Sequence, residues 1–92
     1  MNLREAKIIL PRDAEKRAHD YIRTSLGQRF GGYTAVDGRG YWEGLAEDVT
    51  IYYVAVPPDS TAFLRHVAAM ARDYGRQNCV YLCDASGNVE LV

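Results

Sequence analysis

The stretch that most constrains this chain is Val49–Val56, whose residues VTIYYVAV are β-branched or aromatic except for one alanine. The run is short for a helix and is closed by Pro57-Pro58, which cannot donate a ladder hydrogen bond, so it predicts a strand. Alternation sends Val49, Ile51, Tyr53 and Ala55 to one side and Thr50, Tyr52, Val54 and Val56 to the other. Both sides are largely apolar, so one packs on helices and the other is covered or meets a partner. Upstream, Phe30–Trp42 reads as the first arm of a long hairpin, with strand character from near Tyr33. Asp37-Gly38-Arg39-Gly40 interrupts its apolar pattern, which resumes at Tyr41-Trp42, and this predicts a bulge or kink. Between the arms, Glu43–Asp48 predicts a wide acidic tip in which Glu43, Glu47 and Asp48 have no base among them.

A helix is expected on each side of the hairpin. Ala6–Leu10 is a brief apolar run ending at Pro11 and reads as a strand. Pro11 and Asp13 then signal a helix start, and a helix is expected from about Arg12 to Leu26, stopped by Gly27. Ala14, Ala18, Tyr21, Ile22, Ser25 and Leu26 form its buried stripe, leaving His19 and Arg23 on the solvated face. The second helix is expected over Thr61–Tyr74, capped by Asp59 or Ser60 and ended by Gly75. Its inner stripe is Leu64, Val67, Ala68, Ala71 and Tyr74, with Arg65, His66, Arg72, Asp73 and Arg76 outside. Cys79–Cys83 reads as a strand, Asp84–Asn88 as a turn, and Val89–Val92 as a short last strand or tail. The order β-α-β-β-α-β predicts one α+β domain over residues 1–92, a ferredoxin-like antiparallel sheet with two helices on one face and a terminal hairpin.

A formal net charge of −1 gives no bulk attraction to nucleic acid or an anionic membrane. No apolar run approaches the roughly 18 residues of a membrane span, and no signal-like segment follows the N-terminus, so a cytoplasmic protein is expected. Cys79 and Cys83, four apart on one strand, would lie roughly 13 Å apart, beyond disulfide reach. No nearby His completes a zinc set, so no metal or cofactor is expected and the cysteines read as small buried hydrophobes.

The hairpin arm carries Phe-Gly-Gly-x-Thr and then Gly-x-Gly-x-Trp before an acidic residue and an apolar strand, on Phe30, Gly31, Gly32, Thr34, Gly38, Gly40, Trp42 and Glu47. This pattern resembles small ferredoxin-like proteins of phages, plasmids and mobile regions in proteobacteria, and is similar to the bacterial family DUF3574, of unknown function. Such mobile-element proteins include or travel with inhibitors of host defence, among them anti-CRISPR proteins. The resemblance implies inhibition by binding to a host protein complex such as a nuclease effector, without catalytic residues.

Read without the resemblance, the chain offers little catalytic chemistry. His19 and His66 lack a Ser, Cys or carboxylate in a triad arrangement. Gly38-Arg39-Gly40 lies inside a strand, where a nucleotide loop would need to join a strand to a helix. Tyr41, Trp42, Tyr52, Tyr53 and Tyr81 gather on strands, as in single-stranded RNA-binding domains of this topology, but Ile8-Ile9-Leu10 offers no aromatic and the Val49–Val56 strand lacks the Lys/Arg-Gly-aromatic signature. A small dimeric cofactor-free oxygenase or isomerase, with a pocket between sheet and helices, is the alternative enzyme reading. The favoured expectation is a non-catalytic binding module that occupies a protein or nucleic-acid surface. Tyr41, Trp42, Glu43, Glu47 and Asp48 at the tip are its partner-binding residues, presenting carboxylates beside aromatic anchors. Homodimerisation through the open sheet face is also expected.

Overall fold

The structure, a computed structural model, describes residues 2–92. Seven elements follow one another: β1 (Arg4–Pro11), α1 (Lys16–Phe30), β2 (Thr34–Trp42), β3 (Leu45–Val56), α2 (Thr61–Tyr74), β4 (Tyr81–Cys83) and β5 (Val89–Leu91). They build one sheet in the order β2-β3-β1-β4-β5, every neighbouring pair antiparallel. The architecture is the ferredoxin-like sandwich, with β3 inserted between β1 and β2 and the terminal hairpin adding β5 beside β4.

Register sets the core. Ile8 pairs with Tyr52 on one side and Leu82 on the other, so these three side chains share the helix-facing side with Ala6, Leu10, Val54 and Val56. Helix α1 lays Ala18, Ile22 and Leu26 on this layer, and α2 lays Leu64, Val67, Ala68 and Ala71. Burying each large aliphatic side chain stabilises the fold by about 1.5–3 kcal/mol, which makes this layer the main source of stability. The helices approach closely at Gly75, where a Cβ would lie 3.2 Å from Ala18 Cβ and 3.0 Å from the Ala71 carbonyl oxygen.

Several boundaries differ from expectation, each for a local reason. Helix α1 starts at Lys16 because the backbone N–H of Arg12 still donates to Asp48 O across the sheet, at 2.9 Å. It runs through Gly27 to Phe30, whose ring packs edge-on against Phe63. The true stop is Gly31, left-handed at φ 85°, whose N–H donates to Gly27 O. Ser60 holds the N-cap position of α2, but its hydroxyl is buried and makes no capping bond. The first arm of the hairpin carries no bulge. Gly38 and Gly40 pair in register with Val49 and Glu47, and the missing side chains make room for neighbours, since a Cβ on Gly38 would lie 3.1 Å from Ile51 Cδ1. The tip is not wide either: Glu43 (φ 51°) and Gly44 (φ 80°) make a two-residue left-handed turn, and β3 begins at Leu45 rather than Val49. Strand β4 spans only Tyr81–Cys83, so Cys79 lies outside it, and both thiols are free and half-buried rather than core. The Asp84–Asn88 turn forms as expected, with Asp84 Oδ1 accepting from the N–H groups of Ser86 and Asn88.

Candidate functional site

The hairpin outruns the sheet. Strand β1 stops pairing with β3 at Pro11–Val49, and the Arg12–Asp48 backbone bond is the last link on that side. Beyond it, Gly40–Glu47, Tyr41–Ala46 and Trp42–Leu45 pair only with each other. At about 3.4 Å per residue these pairs and the turn form a two-stranded arm that projects roughly 14 Å. Tyr41 is 78% exposed, Leu45 74% and Trp42 50%. Alternation splits the expected binding residues between the faces of this arm. Trp42, Leu45 and Glu47 stand on the side continuous with the open sheet face, Tyr41 and Asp48 on the helix side, and Glu43 caps the turn.

The arm's charge is more balanced than the sequence suggested. Arg39 donates to Asp48 across the ladder at 2.9 Å, and Arg12 approaches Asp37 at 3.5 Å and Asp48 at 3.9 Å. Asp48 therefore belongs to a group of two bases and two carboxylates at the foot of the arm, leaving Glu43 and Glu47 as the carboxylates toward its end. On the outside of α2 the bases are likewise paired: Arg65 grips Glu90 with two nitrogens, Arg72 meets Asp73 and Arg76 meets Glu15.

The open face of the sheet carries Val36 on β2, Ile51 and Tyr53 on β3, Ile9 on β1, Tyr81 on β4 and Val89 and Leu91 on β5. Among the described residues no helix covers this side, and Val36, Val89 and Leu91 are among the exposed apolar residues. Lys7 lies near its centre on β1, its Nζ 5.9 Å from the Tyr53 ring centroid.

Sequence reasoning misplaced His19. It is buried, 6% exposed, with Nε2 3.0 Å from Pro11 O and Nδ1 2.6 Å from the Tyr52 hydroxyl. The carbonyl can only accept, so Nε2 carries the proton and Nδ1 accepts the phenolic O–H. Its spacing to Ile22 and Leu26, three and seven residues on, was the signal that puts it at the edge of the buried stripe. Burial pushes the Tyr52 phenol above its ordinary value, with Arg23, 5.9 Å from the ring centroid, pulling the other way. His19 borders a rim cleft of ≈ 340 Å³ reached by Arg12, Lys16, Arg23, Asp37 and Thr50. Each base there has a carboxylate: Arg12 has Asp37, and Lys16 and Arg23 share Asp20. With both imidazole nitrogens engaged, the His19–Tyr52 pair acts as a brace from α1 to β1 and β3. The space between sheet and helices, where the enzyme alternative puts a pocket, is filled by Ile8, Ile22, Leu26, Tyr52, Leu64 and Leu82. His66 is exposed on α2 beside the Tyr21 hydroxyl, 3.4 Å away.

Among the described residues no cluster of His, Cys, Asp or Glu has the geometry to hold a metal ion, and no helix is long and apolar enough to cross a membrane. Comparison with protein-family models, curated proteins and solved structures returns no match.

Proposed function

We propose that this chain is a non-catalytic binding module that inhibits a host defence complex, in the manner of the anti-CRISPR proteins of phages and other mobile elements. It acts in the cytoplasm by occupying a surface that the complex needs. The observation that carries this reading is the projecting arm. A two-stranded ribbon is at best marginally stable in water on its own, and this one places Tyr41, Trp42 and Leu45 in solvent where they contribute little to the core. Large rigid aromatics of this kind anchor protein interfaces. Glu43 and Glu47 beside them favour a basic surface and speed its encounter at low salt. With a net charge of −1, a protein surface suits the arm better than nucleic acid itself.

The test is affinity capture from the host with the wild type and with Trp42→Ser/Leu45→Ser, followed by mass spectrometry and a nuclease assay on what is recovered. The wild type recovers a nuclease complex and blocks its target cleavage, and the variant, still folded by circular dichroism, does neither. Equal capture and inhibition by the variant moves the binding surface off the arm. Recovery of no nuclease complex by the wild type removes the inhibitor reading.

A further inference from the structure

Strand β2 is an edge strand of nine residues, paired to β3 on one side and, among the described residues, to nothing on the other. Exposed edges in soluble proteins are usually blunted by proline, charged side chains, short length or a bulge. Of these this strand has only charge: its sequence TAVDGRGYW holds no Pro or Lys, it pairs through its full length, and its one acid and one base are of opposite sign. Its two charges, Asp37 and Arg39, stand on the helix side and flank Gly38 symmetrically.

We propose that β2 is a self-recognition edge, along which two copies pair antiparallel about a two-fold axis through Gly38. In that register Asp37 of each copy stands opposite Arg39 of the other, so the only two charges on the strand neutralise each other twice. Arg12 beside Asp37 and Asp48 beside Arg39 extend the ion pairs across the seam. Size matches as well as charge, because each large side chain falls opposite a small one: Tyr41 faces Ala35, Trp42 faces Thr34 and Val36 faces Gly40. Of these, the Asp37–Arg39 ion pairs and the aromatic–β-branched Trp42–Thr34 pairs are kinds that stabilise an antiparallel ladder. The register also brings Trp42 of one copy beside Thr34 of the other, at the mouth of a groove of ≈ 520 Å³ lined there by Thr34, Tyr53, Phe30 and Gly31–Tyr33.

Edge pairing suits this molecule better than the sheet-on-sheet dimer expected from the apolar strands. Stacking the open faces carries Lys7, central on the central strand, into a desolvated layer, whereas pairing along β2 leaves it in water. The two-fold axis is perpendicular to the sheet. Both open faces then lie on one side of a continuous ten-strand sheet, all four helices lie on the other, and the open faces remain free. The second copy is the proposed occupant of the edge, and the dimer is independent of any host partner.

The experiment uses the purified chain with Cys79→Ala/Cys83→Ala as background. Gly38→Cys places its thiol on the axis, with circular dichroism checking that the Ile51 side chain, 3.1 Å from the new Cβ, gives way without unfolding. Directly opposed residues in an antiparallel pair have Cα atoms about 4.5–5.5 Å apart, within disulfide range. Thr34→Cys is four residues from the axis, so its two copies lie roughly 27 Å apart and cannot link. Mild oxidation converts Gly38→Cys to a covalent dimer and leaves Thr34→Cys monomeric. By light scattering the wild type has twice the chain mass, Asp37→Arg and Arg39→Asp each lower dimer affinity at least tenfold, and the charge-swapped Asp37→Arg/Arg39→Asp recovers part of it, less than all because the swapped charges face Arg12 and Asp48 of their own chain. A wild-type monomer mass at micromolar concentration overturns the proposal. So does linkage of Thr34→Cys as readily as Gly38→Cys, or a charge swap no better than its single variants while circular dichroism shows it folded.

Discussion

Tyr52→Phe is the most informative single change in the core. The ring stays, so packing against His19, Tyr33 and Arg23 is kept, and only the hydroxyl 2.6 Å from His19 Nδ1 is lost. That nitrogen is then buried without a donor, which costs about 1–3 kcal/mol. For a domain of this length each kcal/mol lowers Tm by about 4–8 °C, so a fall of roughly 4–24 °C is expected. His19→Leu costs a comparable amount, because it orphans the phenol and also releases Pro11 O. Combining the two removes both halves of the buried bond, so the double variant is more stable than the sum of the singles predicts by about 1–2 kcal/mol. Urea melts followed by circular dichroism on the four proteins give this coupling directly. Additive single effects, or a loss under about 0.5 kcal/mol for Tyr52→Phe, would refute the brace.

Three further outcomes are expected. The Tyr52 phenol is raised above 10.0 by burial, so above that pH the folded chain keeps a proton that the unfolded chain gives up. Its contribution is full below pH 10 and is lost as pH rises through the folded value, so urea midpoints at about pH 8 and about pH 11 fall less for Tyr52→Phe than for the wild type. Gly27→Ala, inside α1 with open space around the new Cβ, raises stability by about 0.5–1 kcal/mol, whereas Gly31→Ala, at φ 85°, lowers it by about 1 kcal/mol, both read from thermal melts. Cys79→Ala/Cys83→Ala lowers stability by about 1 kcal/mol or less, because both thiols are half-buried, and leaves capture of the proposed host complex unchanged; loss of capture with an unchanged Tm would make them part of the site.

The fold was readable wherever burial wrote a period into the chain. Thr50, Tyr52, Val54 and Val56 turn inward as alternation requires, and α2 ends where Tyr74 gives way to Gly75. Misreadings came where a tertiary contact outweighed a local signal. Pro11 and Asp13 look like a helix start, but the Arg12 N–H is held by Asp48 from the far arm of the hairpin. Glu43-Gly44 lacks the asparagine or aspartate that usually marks a two-residue turn, so the tip read as wide and Leu45–Asp48 as loop. Gly38 and Gly40 looked like a defect in a strand because their neighbours Val49 and Ile51 lie on another one. At the arm, the exposed aromatics were legible as residue types, but not the faces they share. The partners of Asp48, Arg39 and Arg12, come from two other strands or their ends, and only the register brings them together.

The place of β1 in the sheet has a consequence for how the chain acquires its structure. This first strand sits in the middle, with Ile8 tied to Tyr52 on one flank and to Leu82 on the other. Neither tie is local, and the second spans most of the chain. A ribosome releasing residues in order delivers β1 long before either neighbour, and the β2–β3 hairpin is complete before any part of β4 exists. Until Leu82 emerges, one edge of β1 stays unpaired beside a finished hairpin, open to the wrong strand. High sequence separation of this kind slows closure and lengthens the life of aggregation-prone intermediates. For this protein the slow step of folding is expected to be the docking of the last hairpin, Tyr81–Leu91, onto a strand made at the very beginning.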